Sequence, residues 1–316
     1  MKKRYLFSLF VVLAFGAVLS ILTLTKLKIY GQSAPNSQFT ENAEADTPKT
    51  PAPNAFIKKT NSSFPASLAT AANENRMLKN SLAWTFGAKQ QRGWYLYVPL
   101  IQQTVGTEAE AETPEFAQAI SAWQQKFDLP ASGRLDRETL MQMVGWWQAR
   151  RLKSSRYPSG GDLVAAPIAD FYDPSRAAEL TRVERETYEA YRKMVAAAAK
   201  ELNLKTTKTG ELAPEEKFLR IVSSFRSREY QEKLRRASPN SGSAGLAVNS
   251  PHFTGRALDI YVGGEPTITK DSNRALQVET PAYKWLVKNA EKFGFYPYYY
   301  EPWHWEYVPN RAVEIK

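Results

Sequence analysis

Cysteine is absent from the 316 residues, and histidine occurs twice, as His252 and His304. The missing cysteine excludes disulfides, thiolate-ligated metal and a lipid-bearing N-terminal thiol. A metal site must therefore draw on His, Asp and Glu, and two imidazoles leave it almost no freedom of position. Long apolar runs are also scarce. One stands out, residues 5–25, with 21 uncharged positions between Arg4 and Lys26. At about 1.5 Å per residue it is long enough to span a bilayer. No nucleic-acid-binding module and no internal repeat is apparent.

What is present sets other bounds. The 15 Phe, 16 Tyr and 8 Trp supply material for a sizeable core. The formal charge of +10 suggests an anionic partner: wall polymer, membrane surface or nucleic acid. Part of the excess sits at Lys2, Lys3 and Arg4, flanking the apolar run, and favours a cytoplasmic N-terminus. Part sits at Arg150, Arg151, Lys153 and Arg156, which read as a solvated linker.

The chain divides into four regions. Residues 1–30 form an expected signal anchor, with a cleaved signal peptide as the alternative, so the remainder is exported. Residues 31–75 are rich in Pro, Ala, Thr, Ser and Asn without apolar periodicity and read as a disordered linker. Residues 78–150 read as a small helical domain. Thr113-Pro114 supplies an N-cap and a first-turn proline, and Phe116, Ile120, Trp123 and Phe127 recur at helical spacing. Asp136 caps a second helix with Leu140, Met143, Val144 and Trp147 on one stripe. From residue 170 to 316 the pattern is mixed. A helix is predicted over 175–202, a strand over 218–225, and a short helix capped by Ser227. A strand over 256–262, a helix opened by Thr280-Pro281 and ended by Gly294, and aromatic strands over 295–300 and 303–308 complete an α+β domain.

Within that domain two stretches carry chemistry. In Ser250-Pro251-His252-Phe253-Thr254-Gly255-Arg256-Ala257-Leu258-Asp259, strand alternation sends Leu258, Ile260 and Val262 to the core. Asp259 then points away from the core, where a strand disfavours it. Gly255 permits a turn that carries His252 back over the strand. In Glu301-Pro302-Trp303-His304-Trp305-Glu306, alternation puts His304 and Glu306 on one face and Trp303 and Trp305 on the other, as packing. Pro302 starts or bulges the strand, aiming Glu301 at the same place as His304. Two neutral imidazoles and a carboxylate form a known catalytic zinc set with one position open. A further carboxylate is needed as proton acceptor, and Glu301 is the best placed. Glu306 would either orient a ligand or pair with a surface cation.

These residues resemble a family. The patterns Ser-x-His-x-x-Gly-x-Ala-x-Asp and Glu-Pro-Trp-His are those of VanY-type D-alanyl-D-alanine carboxypeptidases, in the group of Hedgehog-like peptidases. Ser223-Ser224-Phe225-Arg226-Ser227 with Gln231 is similar to a third family segment. The resemblance implies a Hedgehog/D,D-peptidase-like α+β fold with a central antiparallel sheet, preceded by the small helical domain. It implies Zn2+ held by His252, Asp259 and His304, with Glu301 as the base. By the same resemblance Arg226 stabilises the substrate carbonyl oxygen, while Ser250 and Gln231 help place substrate. Residues 294–300 depart from the family in lacking an Arg and a longer insertion.

Upstream, Trp123-Gln124, Leu129-Pro130, Gly133 and Asp136 with Thr139 resemble the helical peptidoglycan-binding domain. The implied partner is peptidoglycan stem peptide at a bacterial cell envelope, with the membrane reached through the N-terminal segment and no nucleic acid. The helical domain is expected to hold the enzyme at the wall without contributing to chemistry. An endopeptidase would use the same ligands, and a non-catalytic wall-binding module is the alternative of a different class. Oligomeric state is left open.

Overall fold

The computed structural model describes residues 65–87, 89–154, 156–237 and 250–309. The expected membrane-crossing run lies outside them. Among the described residues no helix is long and apolar enough to cross a membrane. The last part of the expected linker is helical: α1 spans Ala66–Ser81. Small residues read as a tether when taken alone, yet Ala is the best helix former and allows close approach. Ala71 and Ala72 pack on Ala117 of α3 (Pro114–Lys126). Buried Asn75 donates from Nδ2 to the Gly133 carbonyl at 3.0 Å and accepts the Leu135 N–H at 2.8 Å. The helix is thus stabilised by what it touches.

A hairpin of β1 (Ala83–Phe86) and β2 (Lys89–Arg92) leads to α2 (Val98–Val105). The caps of the next two helices are those expected. Thr113 accepts the Phe116 N–H at 3.2 Å to open α3, and Asp136 accepts the Thr139 N–H at 3.0 Å to open α4 (Arg137–Ala149). Their apolar stripes, with Trp94 stacked on Phe116, fill one core.

Beyond α4 the chain pairs β3 (Leu163–Ala165) with β4 (Arg182–Glu184). The long helix α5 runs Arg185–Glu201, starting ten residues later than its predicted start at 175. Residues 182–184 are drawn into the strand pair instead, and the Glu184 carboxylate then caps α5 by accepting the Thr187 N–H at 2.9 Å. The central sheet holds β5 (Ile221–Ser223), β6 (Ala257–Ile260), β7 (Phe295–Pro297) and β8 (His304–Tyr307), in the antiparallel order β5-β6-β8-β7. One face carries Ile221, Leu258, Ile260 and Trp305 into a core with Tyr191 and Met194 of α5. Tyr283 and Leu286 of a later helix, Pro281–Asn289, join them.

Two further helices flank the sheet, α6 (Arg228–Ala237) and α7 (Asp271–Glu279), so that Pro281–Asn289 is α8. The sequence reading did not include α7. It has little apolar periodicity, and polar bonds hold it: Asn273 Nδ2 donates to the Glu265 and Ile268 carbonyls, both at 2.9 Å.

The helical region and the sheet region share a core. Tyr298, Tyr299 and Tyr300, on the connection from β7 to β8, pack among Trp84, Tyr97 and Trp147. The Tyr299 ring centroid lies 5.1 Å from Phe86, 5.6 Å from Tyr97 and 5.7 Å from Trp147. All described residues fall in one compact unit. The helical region thus packs against the sheet region, and its aromatics wall the loop that leads straight into Glu301. Tyr299 is 2 % exposed and its hydroxyl has no partner among the described residues. Tyr299→Ala should cost about 3–5 kcal/mol in urea unfolding, with helical and sheet signals lost in one transition. Tyr299→Phe should stay within about 1 kcal/mol of wild type. Two separate transitions would show that the regions fold independently.

Candidate metal centre and active site

Strand register assembles the site. Asp259 of β6 stands opposite Ser223 of β5 on one side and His304 of β8 on the other, and Ala257 stands opposite Glu306. Alternation puts all of them on the face turned away from the Leu258–Trp305 core, as the sequence implied. The small Ala257 leaves room for the Glu306 side chain. His252 arrives from the turn before β6. The Ser250 hydroxyl caps that turn by accepting the His252 N–H at 3.3 Å. Gly255 closes it with φ of 71°. Glu301 is positioned by its own turn, in which the His304 N–H donates to the Glu301 carbonyl at 2.9 Å.

Hydrogen-bond partners orient both imidazoles and fix the proton of His252. His252 Nδ1 lies 2.7 Å from the Ser224 carbonyl oxygen, which can only accept, so Nδ1 carries the proton. Its Nε2 then presents a lone pair toward Asp259 Oδ1 at 3.2 Å. His304 is turned the other way. Its Nε2 faces Glu306 Oε1 at 3.2 Å, and its Nδ1 faces the same Asp259 Oδ1 at 3.0 Å. Such outer hydrogen bonds fix the tautomer of a ligating histidine.

Three ligand atoms of His252, Asp259 and His304, all buried, lie within 4.8 Å of one another. The His252 lone pair, the His304 Nδ1 and an anionic oxygen converge on one point, a donor set suited to a cation. The residues fit a metal ion.

The electrostatics agree with that arrangement. Burial, helped by the nearby Arg226 charge, lowers His252 to about 4 despite Asp259, so it is a neutral imidazole at pH 7. Burial lowers His304 too, but the hydrogen bonds to Asp259 and Glu306 outweigh it and raise it to about 9. Without metal a proton on Nδ1 thus partly answers the convergence. Burial raises Asp259, yet His252 and Arg226 hold it well below the usual carboxylate range. Glu306 is likewise raised by burial and lowered further by His304 and Arg151, to about 2. Glu301 differs from both. Burial raises it to about 7, and among the described residues no hydrogen bond holds its carboxylate. It stands outside the group of three.

The remaining expected residues are gathered here in other postures. Arg226 Nη2 donates to Asp259 Oδ2, and its Nε donates to Ser223 Oγ at 2.9 Å. Its Nη1 reaches Gln231 Oε1 at 3.4 Å. Arg226 therefore steadies the Asp259 carboxylate, and Gln231 steadies Arg226. Ser250 caps the histidine turn. Trp303 and Trp305 are packed in the core, as expected.

Glu306 is fully buried and meets both expectations, bonding to His304 on one side and pairing with the part-exposed Arg151 on the other. Sequence reasoning missed the Ser224 carbonyl, because backbone acceptors leave no trace in composition. It also missed Arg151, read as part of a solvated linker, whose Nε donates to Glu306 Oε1 at 3.0 Å.

With this geometry in view, comparison with known proteins is informative. Residues 180–310 match the family model VanY, D-alanyl-D-alanine carboxypeptidase. This segment is a VanY-family domain. All seven expected site residues lie inside it. Residues 104–143 match a second family model, a peptidoglycan binding domain. Among solved structures the chain is similar to the LdcB LD-carboxypeptidase, described as revealing "the molecular basis of peptidoglycan recognition". The identity is 25 %, over 50 % of this chain and 73 % of that one, with a TM-score of 0.35, too low to build on. None of the curated proteins matches the chain.

The turn that carries His252 in the VanY domain is closely fitted at Gly255. A Cβ there would lie 3.0 Å from the Glu184 nitrogen and 3.0 Å from Leu163 Cδ2, on a left-handed backbone. Gly255→Ala should destabilise the protein by about 1–2 kcal/mol in chemical denaturation. A loss below about 0.5 kcal/mol would mean that the turn relaxes freely.

Proposed function

We propose that the chain is a zinc-dependent D-alanyl-D-alanine carboxypeptidase that removes the terminal D-Ala from peptidoglycan stem peptides. The observation that carries this reading is the convergence of His252 Nε2, His304 Nδ1 and Asp259 Oδ1 beside a separate, unbonded Glu301 carboxylate. His252, His304 and Asp259 would hold the ion. When bound, zinc supplies Lewis-acid polarisation and lowers the pKa of a coordinated water.

The chain's own residues account for the rest of the hydrolysis. Glu301 accepts a proton from the attacking water as its oxygen bonds to the peptide carbonyl carbon. It then returns the proton to the leaving D-Ala nitrogen as the C–N bond breaks. A carboxyl poised at about 7 suits both transfers near neutral pH. Arg226 keeps Asp259 ionised and in place. The match to a peptidoglycan-binding domain over 104–143 supports a polymeric wall substrate over a free dipeptide. A catalytic domain outside the cytoplasm, reached through an N-terminal anchor, follows from the same reading.

Zinc should bind at one equivalent, and His304→Ala should lose zinc and activity together in elemental analysis and turnover assays. Full zinc occupancy in that variant would remove His304 from the ligand set. Glu301→Gln should keep zinc and thermal stability while turnover on a D-Ala-terminated pentapeptide falls about 10²–10⁴-fold with little change in KM. Loss of zinc there would make Glu301 a ligand instead. Mass spectrometry of muropeptides should show loss of a single alanine. Cleavage within the stem would indicate an endopeptidase, and no cleavage a wall-binding module.

A further inference from the structure

Glu306 is a fully buried carboxylate whose partners come from two distant parts of the chain. His304 donates to its Oε1. Arg151 donates to the same oxygen from both Nε and Nη2. The backbone N–H of Leu152 donates to Oε2 at 2.8 Å. Among the described residues every bond that answers the Glu306 charge, His304 apart, comes from positions 151 and 152, just past the end of α4. The other arginines near the sheet are engaged elsewhere: Arg226 with Asp259, Arg256 with Glu184 and Glu186, Arg274 with Asp271. A buried carboxylate stripped of its counter-charge is strongly unfavourable, so Glu306 keeps this posture only while Arg151 is in place.

Arg151 is itself held from both regions. Its guanidinium lies 4.0 Å over the Tyr298 ring, and Nη1 donates to Gln148 Oε1 of α4 at 3.2 Å. The Tyr298 N–H in turn donates to the His304 carbonyl at 2.9 Å, so the platform beneath Arg151 is tied to the histidine that Glu306 orients. Neighbouring Arg150 pairs with Glu291 and lies 4.2 Å from the Trp146 ring centroid and 4.9 Å from that of Tyr296. These consecutive arginines pin the end of α4 to the edge of the sheet. Neither family model includes them: one ends at residue 143 and the other starts at 180.

We propose that Arg151 is a positioning residue of the catalytic centre, setting the ring of His304 through Glu306, so that the helical region is a working part of the site as well as an attachment to the wall. The proposal rests on the zinc reading above. A guanidinium fork suits this role, since two N–H groups grip one carboxylate oxygen in a single plane, whereas lysine would offer only a point charge.

The test uses the full chain with Arg151→Ala, Arg151→Lys, Glu306→Gln and the double variant Arg151→Ala with Glu306→Gln. Zinc affinity is read by chelator competition, beside kcat, KM and Tm. Arg151→Ala should weaken zinc binding by about 10–100-fold and lower kcat with KM little changed, and Arg151→Lys should recover part of both. In the Glu306→Gln background, adding Arg151→Ala should change zinc affinity by no more than about twofold, because the connection is already cut. Equal losses in both backgrounds, or a lower Tm with wild-type zinc affinity, would reduce Arg151 to a docking contact and overturn the proposal. If Arg151→Ala does not fold, Arg151→Lys decides: wild-type zinc affinity and kcat in that variant overturn it. A wild-type chain that takes up no zinc would overturn the metal reading itself, an outcome distinct from failure of the Arg151 role alone.

Discussion

A carboxylate taken out of water needs a cation or donors beside it, and this requirement at Asp259 and Glu306 organises the molecule around the sheet. Both are almost wholly buried, on neighbouring strands. Each is answered by an arginine from outside its own strand: Arg226, 33 positions from Asp259, and Arg151, 155 positions from Glu306. The His304 imidazole lies between them, bonded through one nitrogen to each. The closure of the β5–α6 connection over β6, and of the end of α4 over β8, are two instances of one electrostatic demand.

That demand also sorts the carboxylates by role. Asp259 and Glu306 are held by hydrogen bonds to histidine and arginine, which keep them ionised and fixed. Glu301 is buried beside them without such bonds, and burial alone raises its affinity for a proton. Three buried acidic side chains brought together by the fold thus acquire different properties from their surroundings: Asp259 lies against both imidazoles, Glu306 orients one of them, and Glu301 has no hydrogen bond on its carboxylate among the described residues. Environments that push titratable groups apart in this way are how a site divides acid, base and ligand work.

Much of this was legible along the chain. Strand alternation in Ala257–Ile260 and His304–Tyr307 sent Leu258 and Trp305 to the core and Asp259, His304 and Glu306 to the opposite face, and the register brings those faces together. Thr113, Asp136, Thr280 and Ser227 marked helix starts because a cap is a bond between residues three apart. The elements that escaped notice owe their stability to distant contacts. The α1 helix is anchored by Asn75 to a turn about 60 residues away, and α7 by buried amides to the preceding loop. Tyr298–Tyr300 read as strand, but the helical region's aromatics draw them into a loop within its core.

The sequence by itself therefore determined which side chains gather at the candidate site and which face of each strand they occupy, since alternation, capping and two lone histidines are local facts. Only the tertiary structure decided that Asp259 Oδ1 is the common focus of both imidazoles, which ring nitrogen of each is turned inward, and that Arg151 belongs to the site. Those outcomes depend on which buried charge meets which distant donor. Nothing in the neighbourhood of an arginine in the chain records the carboxylate, 155 residues on, that needs it.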